Sequence, residues 1–477
     1  DIISTDDGVP LYKKIERTRY LRPDIVLLSG GTDGGAIEPA MQVAEILRAA
    51  EPKARFGESF NLPVIFAGNV NAREHVKKIL GDKFALRIID NIRPKIDIEN
   101  TEPARMAIQE VFMEHVMSHA PGYDKLKTWT KVPIMPTPMG EGRMFQLVAK
   151  TYQVNLIGVG LGGATTNIYS IYDGKFVRTV SANLGMSYSI CNVLKEAGVK
   201  NIIRWIPFDI GEDELIDILS NKMIRPTTIP QTLDELVIEH AVAREALRLG
   251  FQHHRFLARG LRGVRPSITI ADIFEQRLLL ESYIDMLNVH VIGGTGGLLS
   301  HAPRRVQSAL ILIDGFQPEG VTRLIQDSVF MMPHLGVLST VYPDIALEIF
   351  LKDCLVMLGT CIAPRGLGRK GEETIEVKLT MSDGETRTET LAFGEIKKVP
   401  LPVGEVAEAV ITPGRNFDVG AGLGHALTTK VEGGVAGIII DARGRPLALP
   451  QDENERKRNL IKWFKDLDMY PKEFLGG

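Results

Sequence analysis

Cysteine is scarce: three residues in 477, Cys191, Cys354 and Cys361, widely scattered and without a C-x-x-C pair or a nearby histidine cluster. That usage excludes a disulfide framework and a cysteine zinc site, and it fits a reducing cytoplasm. Charge of one sign is also lacking. With 56 basic against 59 acidic residues the net charge is -3, so no global field draws the chain to nucleic acid or to an anionic membrane. No run of 18 apolar residues occurs, and Asp1-Ile2-Ile3-Ser4-Thr5-Asp6-Asp7 has neither the basic nor the apolar region of a signal peptide; membrane insertion and secretion are therefore not expected. The sequence opens without methionine, which leaves processing, a fragment and residues missing from the start as open alternatives. Neither G-x-x-x-x-G-K-[ST] nor G-x-G-x-x-G followed by an acid about 20 residues on is found, so the P-loop and dinucleotide fingerprints are absent.

Glycine, by contrast, is abundant at 46 residues, and it gathers in tight clusters at the ends of apolar runs. The run 25–28 ends in Ser29-Gly30-Gly31-Thr32-Asp33-Gly34-Gly35 and is followed by a helical pattern over 38–50. Residues 62–69 repeat the apolar run with a glycine stop, and 85–90 supply a third. Strands alternating with helices predict a parallel sheet covered on both faces. A helix is expected at 103–118, then a rigid proline connector at 132–138. The stretch 154–172 reads as a strand, a glycine turn and a returning strand, with a bend at Asp173-Gly174 leading into 175–180. Helices are expected at 187–196, 212–220, 232–249, 270–287 and 345–358. Strands are expected at 289–292, 309–314 and 336–340. From Gly371 period-two alternation takes over, and 453–467 is a charged amphipathic helix whose plain reading is a docked terminal helix. At about 150 residues per domain, this gives a first α/β lobe over 1–150, a second over 151–370, a mainly β domain over 371–450 and a helical tail over 451–477.

Three glycine clusters share one physical logic. Glycine lets backbone amides approach an oxyanion closely and adopt positive φ, while Thr or Ser hydroxyls add hydrogen bonds, so phosphate is the natural guest. The clusters are Gly30, Gly31, Thr32, Asp33, Gly34 and Gly35; Gly162, Gly163, Ala164, Thr165 and Thr166; and Gly293, Gly294, Thr295, Gly296 and Gly297. Any one of them alone is a structural bend. Three at strand ends of one α/β chain point to a nucleotide site.

In order along the chain, the segment from Asp24 to Gly35, Pro63 to Asn69, Met135-Pro136-Thr137-Pro138, Gly162 to Thr166, and Leu184-Gly185-Met186 resemble successive signatures of the MutL-type glutamate mutase accessory proteins, over roughly 24–365. The resemblance implies an α/β fold of two ribonuclease-H-like lobes, of the actin, Hsp70 and acetate or sugar kinase type, closing on ATP and magnesium, with a C-terminal mainly β domain. It implies a reactivating chaperone of adenosylcobalamin-dependent mutases. On this resemblance Gly162 to Thr166 wrap the nucleotide phosphates, and Gly293 to Gly297 contact the α-phosphate and adenosine. No directly bound cobalamin is implied; a protein partner is, either a mutase subunit or a larger assembly.

The sequence departs from the family turn at two acidic positions, which are Gly160 and Asn167 here, and the acid before Leu-Gly-Met is Asn183. A neutral glycine cannot hold hydrated magnesium. The first phosphate hairpin, expected upstream as D-x-G-S/T, is not in the sequence, and Thr5-Asp6-Asp7-Gly8 is no substitute for it, so the first lobe is expected to lack its N-terminal hairpin. ATP or ADP and magnesium are thus expected to bind weakly or not at all. No catalytic residue and no metal ligand is assigned. A catalytically inactive scaffold subunit is the alternative, and a small-molecule kinase is disfavoured because no base can be named. Restoring both acids, Gly160→Asp with Asn167→Asp, is expected to raise magnesium affinity. Elsewhere, Asp33 reads as an Asx-type turn residue, and His253-His254 with Arg255, Arg259, Arg262 and Arg265 reads either as an anion-binding patch or as a solvated helix end.

Overall fold

The computed structural model describes residues 2–53, 61–115, 121–132, 134–259 and 282–476. The described chain divides into two compact units, one ending at Ile134 and the other opening at Met135.

The first unit runs α1 (Leu11–Leu21), β1 (Val26–Leu28), α2 (Glu38–Ala50), β2 (Pro63–Phe66), α3 (Arg73–Leu80), β3 (Ala85–Ile88) and α4 (Glu102–His115). Its sheet has the order β1-β2-β3, all parallel. The central strand is a continuous apolar run because both its faces are covered. Val64 and Phe66 pack with Ala40, Ala44 and Leu47 of α2 and Val76 and Leu80 of α3, while Ile65 meets Ala107 and Val111 of α4.

The second unit opens with α5 (Thr137–Tyr152), followed by β4 (Leu156–Leu161), β5 (Thr166–Tyr172), β6 (Lys175–Ser181), α6 (Ile190–Ala197), α7 (Glu212–Ile224) and α8 (Leu233–Leu257). Next come β7 (Val291–Thr295), α9 (Arg305–Phe316), β8 (Gly320–Asp327), α10 (Met332–Leu338) and β9 (Leu355–Ala363). The chain ends with β10 (Glu373–Thr380), β11 (Thr386–Ala392), β12 (Ile396–Val399), β13 (Val406–Pro413), β14 (Leu427–Glu432), β15 (Ile438–Asp441) and α11 (Glu453–Asp466). An eight-stranded mixed sheet has the order β12-β15-β9-β8-β7-β4-β5-β6. Within it β4, β7 and β8 are mutually parallel, and β5 runs antiparallel to both β4 and β6.

Side-chain alternation divides this sheet cleanly. Ile157, Val159, Leu161, Ile292 and Leu324 face a core shared with α8, α9 and α11, whereas Leu156, Tyr169, Val291 and Ile325 face Phe145 of α5 and Leu335 of α10. Residues 371–450 do not all leave the large sheet. Strands β11-β10-β13-β14 form a separate antiparallel sheet, but β12 and β15 return to extend the large one beside β9. Helix α11 is capped by Asp452, whose carboxylate accepts from Glu455 N at 2.7 Å, and it docks through Leu460, Trp463 and Phe464, as the tail reading expects. Beneath it Arg244, Asp314, Arg443, Asp441 and Arg445 form a buried chain of ion pairs, with N···O distances of 2.6–2.8 Å.

Several expected elements change type. Residues 309–314, expected as a strand, lie inside α9, which is buried on every side; a short apolar run has no periodicity that separates a core helix from a core strand. The strand expected at 336–340 falls on the end of α10 and the turn that follows it. The helix expected at 345–358 stops at Ile349, passes through a π-turn and becomes β9. Of the helix expected at 270–287, residues 270–281 lie outside the described residues, and Met286–Asn288 is a 3-10 turn. Among the described residues no helix is long and apolar enough to cross a membrane.

Candidate functional site

In the first unit Gly30–Gly35 link the carboxyl end of β1 to α2. Gly31 has φ 71°, and a Cβ there would lie 2.6 Å from Ala36 O. The Asp33 carboxylate accepts from Val70 N at 3.0 Å and Asn91 Nδ2 at 2.9 Å, and Asn69 Nδ2 donates to Gly35 O at 2.9 Å. Asp33 thus ties together the loops after β1, β2 and β3 and does not cap its own turn.

In the second unit the remaining two clusters meet. The hairpin between β4 and β5 closes through Gly162 N to Thr165 O at 2.9 Å, and Met186 N and Ser187 N donate to Gly162 O and Gly163 O. Thr166 Oγ1 donates to Leu184 O, so the Leu-Gly-Met segment is clamped on the turn and Ala164 lies at its tip. Gly293 and Gly294 lie inside β7, where their missing side chains admit the Phe145 ring on one face and Leu299 and Leu312 on the other. Gly296, at φ 105°, sits so close to the hairpin that a Cβ would lie 2.2 Å from Leu161 O. Beside both turns opens a cavity of about 750 Å³, bounded by Gly162, Gly163, Gly297, His301, His240 and the segment 226–233. That volume lies within the range of small-molecule sites. On the wall Lys222 Nζ pairs with Glu239 at 2.7 Å. Burial pushes His240 down to about 3, with Arg244 adding to the effect, and Tyr470 is its hydrogen-bond partner at 2.8 Å; the imidazole facing this cavity is neutral.

The opposite face of the same strand ends carries acids that sequence reasoning missed. Asn167, Gly160 and Thr295 lie side by side on β5, β4 and β7. Over Gly160 sits the carboxyl of Glu141 from α5, 1% exposed. Its Oε2 accepts from Tyr169 OH at 2.5 Å and from Asn167 Nδ2 at 3.4 Å. A Cβ on residue 160 would be 2.2 Å from that oxygen, so an aspartate there would have to displace the Glu141 carboxyl. Burial raises the Glu141 carboxyl to about 7 against its two hydrogen bonds, with the Asp327 charge adding to the rise.

Asp327, at the end of β8 and also 1% exposed, accepts from Thr295 Oγ1 at 3.1 Å and from Met332 N at 2.8 Å. Asn167 Oδ1 is buried without a partner. The glycines flanking Glu141 explain its placement: Gly140 packs on the Pro333 backbone and Gly142 on the Tyr169 and Phe176 rings, drawing α5 hard against α10 and the sheet. A glutamate between two helical glycines was the available signal.

Magnesium takes oxygen donors, and two carboxylates with an unpartnered amide oxygen fit it in kind. Among the described residues no group of three or more His, Cys, Asp or Glu could hold a metal, so any such site here mixes acid and neutral donors. His254 forms neither patch nor solvated end. It is buried, bonded to Thr179 Oγ1 at 2.8 Å and Ser170 Oγ at 2.9 Å. Arg262 and Arg265 lie outside the described residues.

A family model described as "MutL protein" matches residues 4–354. A curated relative, "Protein MutL" of Clostridium tetanomorphum, is 27% identical over 374 residues, covering 71% of this chain and 75% of the relative. Among solved structures, a nucleotide-free acetone carboxylase, from work on ATP-dependent acetone carboxylation, aligns with 74% of this chain and 60% of its own, at 10% identity and a TM-score of 0.24, a likeness too slight to bear on the fold.

Proposed function

The chain belongs to the MutL protein family, and from that premise we propose that it is an accessory protein of glutamate mutase whose second unit binds a purine nucleotide, ATP or ADP, in support of an adenosylcobalamin-dependent mutase. The observation that carries the reading is the cavity bounded by the hairpin glycines and Gly297. Glycine backbone lines one side of it, where amides suit phosphoryl oxygens, and apolar wall suits a base. The strand order β6-β5-β4-β7-β8, with only β5 reversed, supports reading the second unit as a ribonuclease-H-like lobe of the actin, Hsp70 and sugar-kinase type. Hydrolysis is expected to be slow or lost. The acids that the family resemblance places at the hairpin are Gly160 and Asn167 here.

Titration of the full chain with a fluorescent ATP analogue tests this. A Cβ on Gly297 meets nothing within 4 Å, so Gly297→Leu fills the cavity without backbone strain and is expected to weaken binding at least tenfold. Wild type that binds neither ATP nor ADP, or a folded variant that binds as wild type does, refutes the assignment. A scaffold role without nucleotide is the second reading, favoured by the neutral residues at 160 and 167; recovery of the chain in a stable mutase complex that ATP and ADP leave unaltered would select it.

A further inference from the structure

We propose that Glu141, Asp327 and the side-chain oxygen of Asn167 form a divalent-cation site on the α5 face of the large sheet, with the acid that would otherwise stand at position 160 supplied from a helix. Three independent features converge there. First, the carboxyl of Glu141 occupies the space that a side chain on residue 160 would take, a Cβ there lying 2.2 Å from its Oε2. Second, Glu141 and Asp327 are each 1% exposed, and among the described residues neither forms an ion pair; the one charged group acting on Glu141 is the negative Asp327. Two buried like charges without a counter-ion are strongly unfavourable. Third, Asn167, 4% exposed, holds its amide nitrogen toward Glu141 while Oδ1 lacks any donor. A buried oxygen left unpaired is costly, and a hard cation would supply the positive partner that this oxygen and both carboxylates lack.

The donors are all oxygen, which selects magnesium or manganese over zinc, and two protein carboxylates with remaining positions held by water is the pattern magnesium favours. The site comes from β5, β8 and α5 alone, so it stands whether or not the cavity on the other face takes a nucleotide. Along β4 it lies two residues before the hairpin glycines, on the order of 7 Å of extended chain.

The test is a Mn²⁺ titration of the nucleotide-free full chain, reading free Mn²⁺ by electron paramagnetic resonance, with Mg²⁺ as competitor. Wild type is expected to bind one Mn²⁺ per chain, displaced by Mg²⁺. Glu141→Gln and Asp327→Asn should each weaken binding at least tenfold, while Glu473→Gln, an exposed acid elsewhere, should not. If an acid variant fails to fold, Asn167→Ala, which removes the unpartnered oxygen and only one long hydrogen bond, must still weaken Mn²⁺ binding. Wild type that binds no Mn²⁺ at millimolar concentration, the outcome if Glu141 carries a proton instead, overturns the proposal. So do folded variants with wild-type affinity. Because no nucleotide is present, either result is independent of the ATP titration.

Discussion

Consider the smallest change that disturbs the acid cluster, a single methyl group at Gly160→Ala. The new Cβ would lie 2.2 Å from Glu141 Oε2 and 2.8 Å from its Cδ, well inside ordinary contact distance, so the carboxyl must move. It cannot do so freely, since Oε2 is held by Tyr169 OH at 2.5 Å and α5 is pinned by the close packing of Gly140 and Gly142. Losing a hydrogen bond to a charged group costs about 1.5–3 kcal/mol, and overpacking a close-packed interior adds about 1–3 kcal/mol, which puts Gly160→Ala near 3 kcal/mol. Glu141→Ala leaves Tyr169 OH unpaired but relieves the repulsion with Asp327, and should cost about 2 kcal/mol on the same scale.

In the double variant the methyl group has nothing to strike. The pair should then cost little more than Glu141→Ala alone, with a coupling of about 2–3 kcal/mol, far beyond the ~0.5 kcal/mol within which independent sites add. Urea unfolding followed by tryptophan fluorescence reads this, because Trp205 and Trp463 both lie buried in the second unit. Additive single costs would refute the placement of Glu141 over Gly160 and every inference built on it.

Two further outcomes follow from buried charge. Burial, reinforced by the neighbouring His253, depresses His254 to about 4 from 6.5, so the unfolded chain binds the extra proton first as acid is added. The neutral ring's contribution, about 3 kcal/mol for such a shift, is fully present above pH 6.5 and lost as pH falls toward 4; His254→Gln should flatten the stability profile of the second unit in that window, and an unchanged slope would contradict the burial argument. At Asp441 burial alone would raise the carboxyl, but the charges of Arg443 and Arg445 outweigh it and hold the pKa well below the usual carboxylate range. Asp441→Asn strands Arg445 and half of the Arg443 pairing and should cost about 3 kcal/mol, as removal of one partner from a buried pair does; a loss under 1 kcal/mol in the same unfolding assay would show the cluster to be dispensable.

Much of this was legible from residue order. Apolar runs broken by glycine announced β1, β2, β4 and β7, and the Asp173-Gly174 bend announced the β5-β6 hairpin. The turn at Gly296 was legible because positive φ and close backbone approach leave a signature that only glycine satisfies. The α9 segment was misread because its burial on all sides erases the 3.6-residue period, and β9 was misread because its first residues follow a helix without a breaker.

The sequence by itself determined the MutL family membership and the neutrality of residues 160 and 167, since these are properties of residue identity in order along the chain. Only the tertiary structure decided that a carboxylate stands above residue 160 all the same. Glu141 is 19 positions away in the chain, and its arrival there depends on two glycines that let a helix press onto the sheet, a distance relation that no local pattern encodes. The cavity was likewise invisible beforehand, because the 226–233 segment that walls it reads as an ordinary proline-rich turn until α7 and α8 fold it back against the hairpin.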